Sequence, residues 1–176
     1  VRRVDGRSLG TYLREEINGP WQLDFHVGLE PGDEARCARV VGMDQAWRDA
    51  LSDEPSATYD LALGNPPGLL DGEVINSSAW RQAEIPASNG HATAEGLAKL
   101  YQGALNEKLI TEAARHQACT RTVSKQQDRI LNQFIERSQG GFILNPGAGF
   151  GPNQLAFGHN GAGGSTAFAD PESQVA

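Results

Sequence analysis

Leu9, Tyr12, Leu13 and Ile17 fall at i, i+3, i+4 and i+8, the spacing of one face of an amphipathic helix. Ser8 precedes them as a natural N-cap, and Asn18-Gly19-Pro20 supplies the stop. Trp21, Leu23, Phe25, Val27 and Leu29 then alternate with Gln22, Asp24, His26 and Gly28, a period of two that predicts a strand or extended edge. From Glu30 to Asn89 the pattern dissolves. Pro31-Gly32, Glu54-Pro55, Asn65-Pro66-Pro67-Gly68 and Asp71-Gly72 punctuate it, which predicts an excursion of loops with short helical pieces such as Met43 to Leu51.

The strongest helix pattern follows Thr93, a second capping residue, and places Leu97, Leu100, Tyr101, Ala104 and Leu105 on one face. That face is the expected core. Thr111 opens a shorter helix from Glu112 to Gln117. Residues 128 to 144 read two ways: Ile130, Leu131, Phe134 and Ile135 fit a helix, whereas Gly140-Gly141-Phe142-Ile143-Leu144 fits a short buried strand after a turn. The tail predicts a strand from Leu155 to His159, a glycine-rich turn, a strand from Ser165 to Ala169 and a stop at Asp170-Pro171. No internal repeat or low-complexity tract interrupts this.

Composition narrows the function classes. A chain of 176 residues with 39% hydrophobic and 21% charged residues has the make-up of a globular domain, made loop-rich by 21 glycines and 9 prolines. The net charge of −7 argues against nucleic acid or an anionic membrane surface as a partner. No apolar run is long enough for a membrane span, the start VRRVDGRSLG has no apolar export core, and a cytoplasmic location is the expectation. Cys37 and Cys119 match no metal or redox spacing and read as reduced structural thiols. His26, His91, His116 and His159 are scattered, with no pair at helical metal-ligand spacing. His91 reads as a loop or capping residue.

The stretch GHNGAGGSTAFADPE, residues 158 to 172, asks for a chemical reason. Four glycines, Gly158, Gly161, Gly163 and Gly164, cost together about 2–4 kcal/mol relative to alanine in regular structure. Such a cost points to a turn, a bulge or the close approach of a ligand or another backbone. Ser165 lies near the G-x-S-x-G pattern of a nucleophile elbow, but that elbow requires a helix directly after the serine. Thr166-Ala167-Phe168-Ala169 reads as a strand instead.

Gly158-His159-Asn160-Gly161-Ala162-Gly163-Gly164-Ser165, followed by Asp170-Pro171-Glu172, resembles the third motif of the serine β-lactamase and penicillin-binding-protein superfamily in its esterase branch, the family VIII carboxylesterases and related hydrolases. In that branch a histidine or tryptophan stands where other members have the lysine of Lys-Thr-Gly. Two further stretches carry the resemblance in the same order, Arg2 to Leu13 and Asn89 to Tyr101. The superfamily's nucleophile lies in Ser-x-x-Lys, which no lysine here satisfies, and its tyrosine motif fits none of Tyr12, Tyr59 and Tyr101. Both motifs precede, in the family, the helix that begins here near Ser8.

The resemblance implies an α+β fold, with an antiparallel sheet carrying the 155 to 169 hairpin, packed by terminal helices, and the 93 to 118 helices beside it. It implies that residues 1–176 correspond to the C-terminal part of one hydrolase domain, without the nucleophile region and the last strand and helix. The implied reaction is hydrolysis of carboxylic esters, with β-lactams or amides as further substrates, through an acyl-serine intermediate. Ala162 would give its backbone N–H to the oxyanion hole and His159 would line the pocket. Asn160, Gly161 and Gly163 would bind the substrate. No metal or organic cofactor is implied, and the partner is a small ester or amide. A catalytically inactive binding module is the alternative.

Overall fold

The computed structural model describes residues 1–44, 46–47, 49, 61–65, 67–128, 130–131, 134–145 and 149–176, without the side chains of 123–126. They fall into two compact units, one built chiefly from Val1–Thr93 and the other from Ala94–Asp128 with Asn132–Ala176. Helices and antiparallel sheets occur in both, so the class is α+β as expected.

In the first unit, Ser8 caps helix α1 (Leu9–Tyr12) by accepting from the Thr11 N–H. The helix does not stop at Asn18-Gly19-Pro20 as the sequence suggests. It widens into a π-helical turn (Leu13–Asn18) and continues as α2 (Gly19–Trp21), with the Gly19 N–H reaching back to the Arg14 carbonyl. Pro20 sits in the first turn of α2, where its missing N–H is no loss. The stop is Gln22, held left-handed at φ 53°. The alternating stretch forms only strand β1 (Phe25–Val27), because Trp21 belongs to α2, yet Leu23, Val27 and Leu29 are buried as the alternation implies.

Among its described residues the excursion holds short helical pieces, as its turn signals suggest. A 3-10 turn spans Glu34–Arg36, and α3 (Gly72–Ile75) and α4 (Ser78–Gln82) are capped by the side chains of Asp71 and Ser77. Of the predicted Met43 to Leu51 helix, Ala46, Trp47 and Asp49 are helical, while positions 45, 48, 50 and 51 lie outside the described residues. Strand β2 (Gly90–Ala92) pairs antiparallel with β1 in the register His26↔His91. His91 is therefore a strand residue, not a loop or capping one.

The second unit is a five-stranded antiparallel meander, ordered β3 (Arg121–Gln127), β4 (Phe134–Ser138), β5 (Ile143–Leu144), β6 (Phe157–Asn160) and β7 (Thr166–Ala169). Helix α5 (Ala94–Leu105) lies against β7, and α6 (Glu112–Ala118) is capped by Thr111 as expected. Leu105, Leu144, Phe157 and Ala169 form the core, with Tyr101, Phe142 and Cys119 packed on its rim. Within this unit α5 packs on the sheet through β7. The expected apolar face of α5 is only half right: Leu105 is buried with Gly96 and Gly103, while Leu97, Leu100 and Tyr101 are half-buried.

Strand β3 lacked any sequence signal, since RTVSKQQ is polar without alternation. Phe134 and Ile135 belong to β4, which replaces the helical reading of that stretch. The Gly140 turn and the short strand at Ile143–Leu144 appear as predicted.

Candidate functional site

The 155 to 169 segment forms the expected hairpin, with Phe157↔Ala169, Gly158↔Phe168, His159↔Ala167 and Asn160↔Thr166 as cross-strand pairs. Ser165 leads into β7, not into a helix, so it sits on no nucleophile elbow. The Gly161 N–H donates to the Ser165 carbonyl at 2.7 Å, and the Gly164 N–H closes the turn onto the Gly161 carbonyl at 3.0 Å. Asp170 then ends the strand, its carboxylate accepting from the Glu172 and Ser173 amides and from the Asn153 side chain.

Alternation of the backbone decides what this hairpin offers. Both polar groups of Gly161 are turned inward, toward β7 and the turn. In an antiparallel pair, neighbouring residues point their N–H and C=O to opposite edges. Asn160 therefore turns its N–H and C=O to the edge away from β7, while Ala162 sits in the turn beyond the ladder. On that side β5 pairs only with Phe157 and Gly158, and no described strand covers the edge beyond. The Ala162 N–H donates to no described group. A hydrogen-bond donor fixed by a turn and left unpaired is what a developing oxyanion requires.

His159 stands at the same edge. Its Nδ1 lies 2.8 Å from the Asn160 carbonyl oxygen, and because a carbonyl only accepts, Nδ1 carries the proton of this bond. On the opposite face Thr166 Oγ1 donates to Asn160 Oδ1 at 3.1 Å, which fixes the Asn160 side chain. The expected site residues His159, Asn160, Gly161, Ala162 and Gly163 are thus contiguous and solvent-exposed on one hairpin tip. Neither the Asn160 carbonyl nor Thr166 was singled out from sequence; the cross-strand pairing of residues flanking a glycine-rich turn is the signal that finds Thr166.

The glycines divide by role. A Cβ at Gly158 would run into the Ala167 carbonyl and Phe168, and one at Gly161 into Ser165 Oγ, so these two serve the hairpin's own close approach. Gly163 has open space around it. The hairpin's own packing thus accounts for Gly158 and Gly161.

The first unit holds a separate polar cleft of about 330 Å³ lined by Asp24, His26, Arg36, Cys37 and His91 among others. Arg36 forks onto Asp24 with two 2.9 Å bonds and also reaches Asp33, while His26 Nε2 lies 2.9 Å from Asp24. The guanidinium, and then the imidazole, hold the Asp24 carboxyl far below the usual range. Burial pushes the His91 imidazole down, favouring its neutral form. The charges of this cleft are spent on one another. Among the described residues no three His, Cys, Asp or Glu side chains converge as metal ligands, and no helix is long and apolar enough to cross a membrane.

Comparison with known proteins fits the chain to a family. The chain is 28% identical to the esterase/β-lactamase LipL of Mycobacterium tuberculosis (strain ATCC 25618 / H37Rv), an alignment covering 100% of this chain and 43% of that protein. Among solved structures it is similar to a penicillin-binding protein homolog from Caulobacter crescentus, with 35% identity, a TM-score of 0.79 and coverage of 99% of this chain and 46% of the other. It is similar also to a family VIII carboxylesterase, with 31% identity, a TM-score of 0.80 and coverage of 98% and 46%. The chain spans less than half the length of these relatives. The β-lactamase family model matches residues 1–176 throughout, and the chain belongs to the β-lactamase family.

Proposed function

We propose that this chain is part of a serine hydrolase that cleaves carboxylic esters, and that it supplies the oxyanion-hole strand. The observation that carries the reading is the Ala162 N–H, which donates to no described group in the turn that follows β6, beside His159. A serine in the polypeptide outside these residues attacks the ester carbonyl carbon, and the carbonyl oxygen becomes an oxyanion. The Ala162 N–H and the nucleophile's own N–H hold that charge, the alcohol departs, and water cleaves the acyl-serine. One such fixed donor contributes about 2.7–4 kcal/mol of transition-state stabilisation. Asn160, Gly161 and Gly163 lie along the substrate's path, and β-lactams or amides are secondary substrates of the same machinery.

A fluorophosphonate serine probe tests this. The protein extended upstream through a Ser-x-x-Lys and a tyrosine motif is expected to be labelled and to hydrolyse p-nitrophenyl esters, whereas residues 1–176 alone do neither. Stoichiometric labelling at Ser165 overturns the assignment, because the nucleophile would then lie within the hairpin.

A further inference from the structure

We propose that Asp170 and Asn153 are positioning residues for this site: their side-chain pair, at the base of the hairpin, sets where the Ala162 N–H stands beyond its tip. The inference rests on the hydrolase reading of the hairpin. Among the described strands, the tip depends on β7 for its place. Strand β5 reaches β6 only at Phe157 and Gly158, whereas β7 pairs with every residue from Phe157 to Asn160. The turn that follows is bonded to itself, through Gly161, Gly164 and Ser165. What holds the end of β7 therefore holds the donor.

A chain of polar side chains holds that end. Asp170, directly after β7, is 4% exposed; its Oδ2 accepts from Asn153 Nδ2 at 2.6 Å, while Oδ1 accepts from the Glu172 and Ser173 amides. The Asn153 side-chain amide also donates to Ser173 Oγ at 2.8 Å. The Asn153 carbonyl accepts from Asn145 Nδ2 at 3.1 Å, and Asn145, 3% exposed, donates to the Gly151 carbonyl and accepts from the Phe150 amide. Asn145 follows directly on β5, so these side chains join the ends of β5 and β7 across the loop that leads into β6. Phe150 of that loop is fully buried and stacks on Phe168 of β7, with ring centroids 5.4 Å apart. The loop thus braces β7 at one polar and one apolar point. The turn after β7 closes on the Glu172 and Ser173 amides without Asn153; what the Asn153 bond adds is the tie to the loop. Two like groups forced together at that tie must move apart, because a buried polar group without a partner is costly. The strand end moves with them, and a displacement of about 1 Å far from the chemistry can cost about 100-fold in rate.

A pair swap tests this in the full-length protein, with ester hydrolysis counted per site labelled to completion by a fluorophosphonate probe. Asp170→Asn sets two amides against each other and Asn153→Asp two carboxylates, whereas the double variant restores one amide and one carboxylate with their roles exchanged. Each single variant should lower kcat about tenfold or more with KM within about twofold, and the swap should return kcat to within about threefold of wild type. Single variants that lower the thermal midpoint while kcat per labelled site stays at wild type overturn the proposal. So does a swap that recovers the midpoint but not kcat. Asn153→Ala, which removes the tie without opposing two like groups, replaces any single variant that fails to fold and is read by the same criterion. A second readout needs no turnover. In 15N-alanine-labelled protein the amide signal lost in Ala162→Pro belongs to Ala162; it should shift in Asn153→Asp and return in the swap, and a signal unmoved in Asn153→Asp overturns the positioning role. A wild type that neither labels nor hydrolyses esters overturns the hydrolase reading, and the amide signal then decides by itself whether the pair sets the tip.

Discussion

Gly158 stands directly opposite Phe168, and β6 runs so close to β7 there that a Cβ on Gly158 would enter the space of the Ala167 carbonyl and the Phe168 backbone. The contact cannot relax by moving one flexible side-chain tip, because most of what it meets is main chain. Gly158→Ala should therefore cost about 1–3 kcal/mol. Gly163→Ala, in open space on the same hairpin, should stay within about 0.5 kcal/mol of wild type. Urea unfolding of the two variants side by side checks this, and equal midpoints would contradict the packing described.

The core of the second unit makes a similar distinction along one helix. Leu105 is 6% exposed and meets Leu144, Phe157 and Ala169, whereas Leu97 and Leu100 are half-buried. Leu105→Ala should cost about 2–5 kcal/mol, and Leu100→Ala clearly less, since a partly exposed site leaves no closed cavity. Calorimetric midpoints in the reverse order would place the core on the other side of α5.

Much of this was legible in the sequence where local chemistry and tertiary packing agree. Ser8 and Thr111 cap their helices because an extended-backbone hydroxyl two or three residues before the first free amides has few better uses. The 155 to 169 hairpin follows from two short apolar runs around glycines, and its resemblance to a known motif located the candidate site. What escaped was set by distant partners. Strand β3 is polar and owes its place to pairing with β4. The continuation of α1 past Pro20 depends on a π-helical turn that no residue pattern announces. The proton on His159 Nδ1 is a matter of side-chain rotation toward the next carbonyl, which composition cannot convey.

Acid should weaken the first unit through Glu84. Burial raises the affinity of its carboxyl for a proton, but the Gly10 amide at 3.0 Å and the Ser8 hydroxyl at 2.5 Å outweigh that and hold it below the usual glutamate range. A carboxyl with a depressed folded-state pKa adds stability above its unfolded pKa and loses it as pH falls through the folded value. Stability should thus decline from neutral into acid pH, and Glu84→Gln should flatten part of that slope. Denaturant titrations at several pH values read it directly; parallel slopes in both proteins would remove Glu84 from the account.

The last prediction separates backbone from side chain at the proposed oxyanion strand. Ala162 contributes its N–H and little else, for the side chain is a methyl group on an exposed turn. Proline at this position deletes the donor while keeping the residue small. In the full-length protein, Ala162→Pro should lower the rate of ester hydrolysis by about 10²–10³-fold. Ala162→Gly, which keeps the N–H, should lose far less. Because the oxyanion forms only in the transition state, kcat and kcat/KM should fall together in the proline variant while KM stays near wild type. His159→Ala should cost less than Ala162→Pro, since it removes a group that contacts the substrate without holding the charge. A proline variant that binds poorly but turns over normally would show that the Ala162 amide grips the ground state, and the oxyanion would then have to find its donors elsewhere.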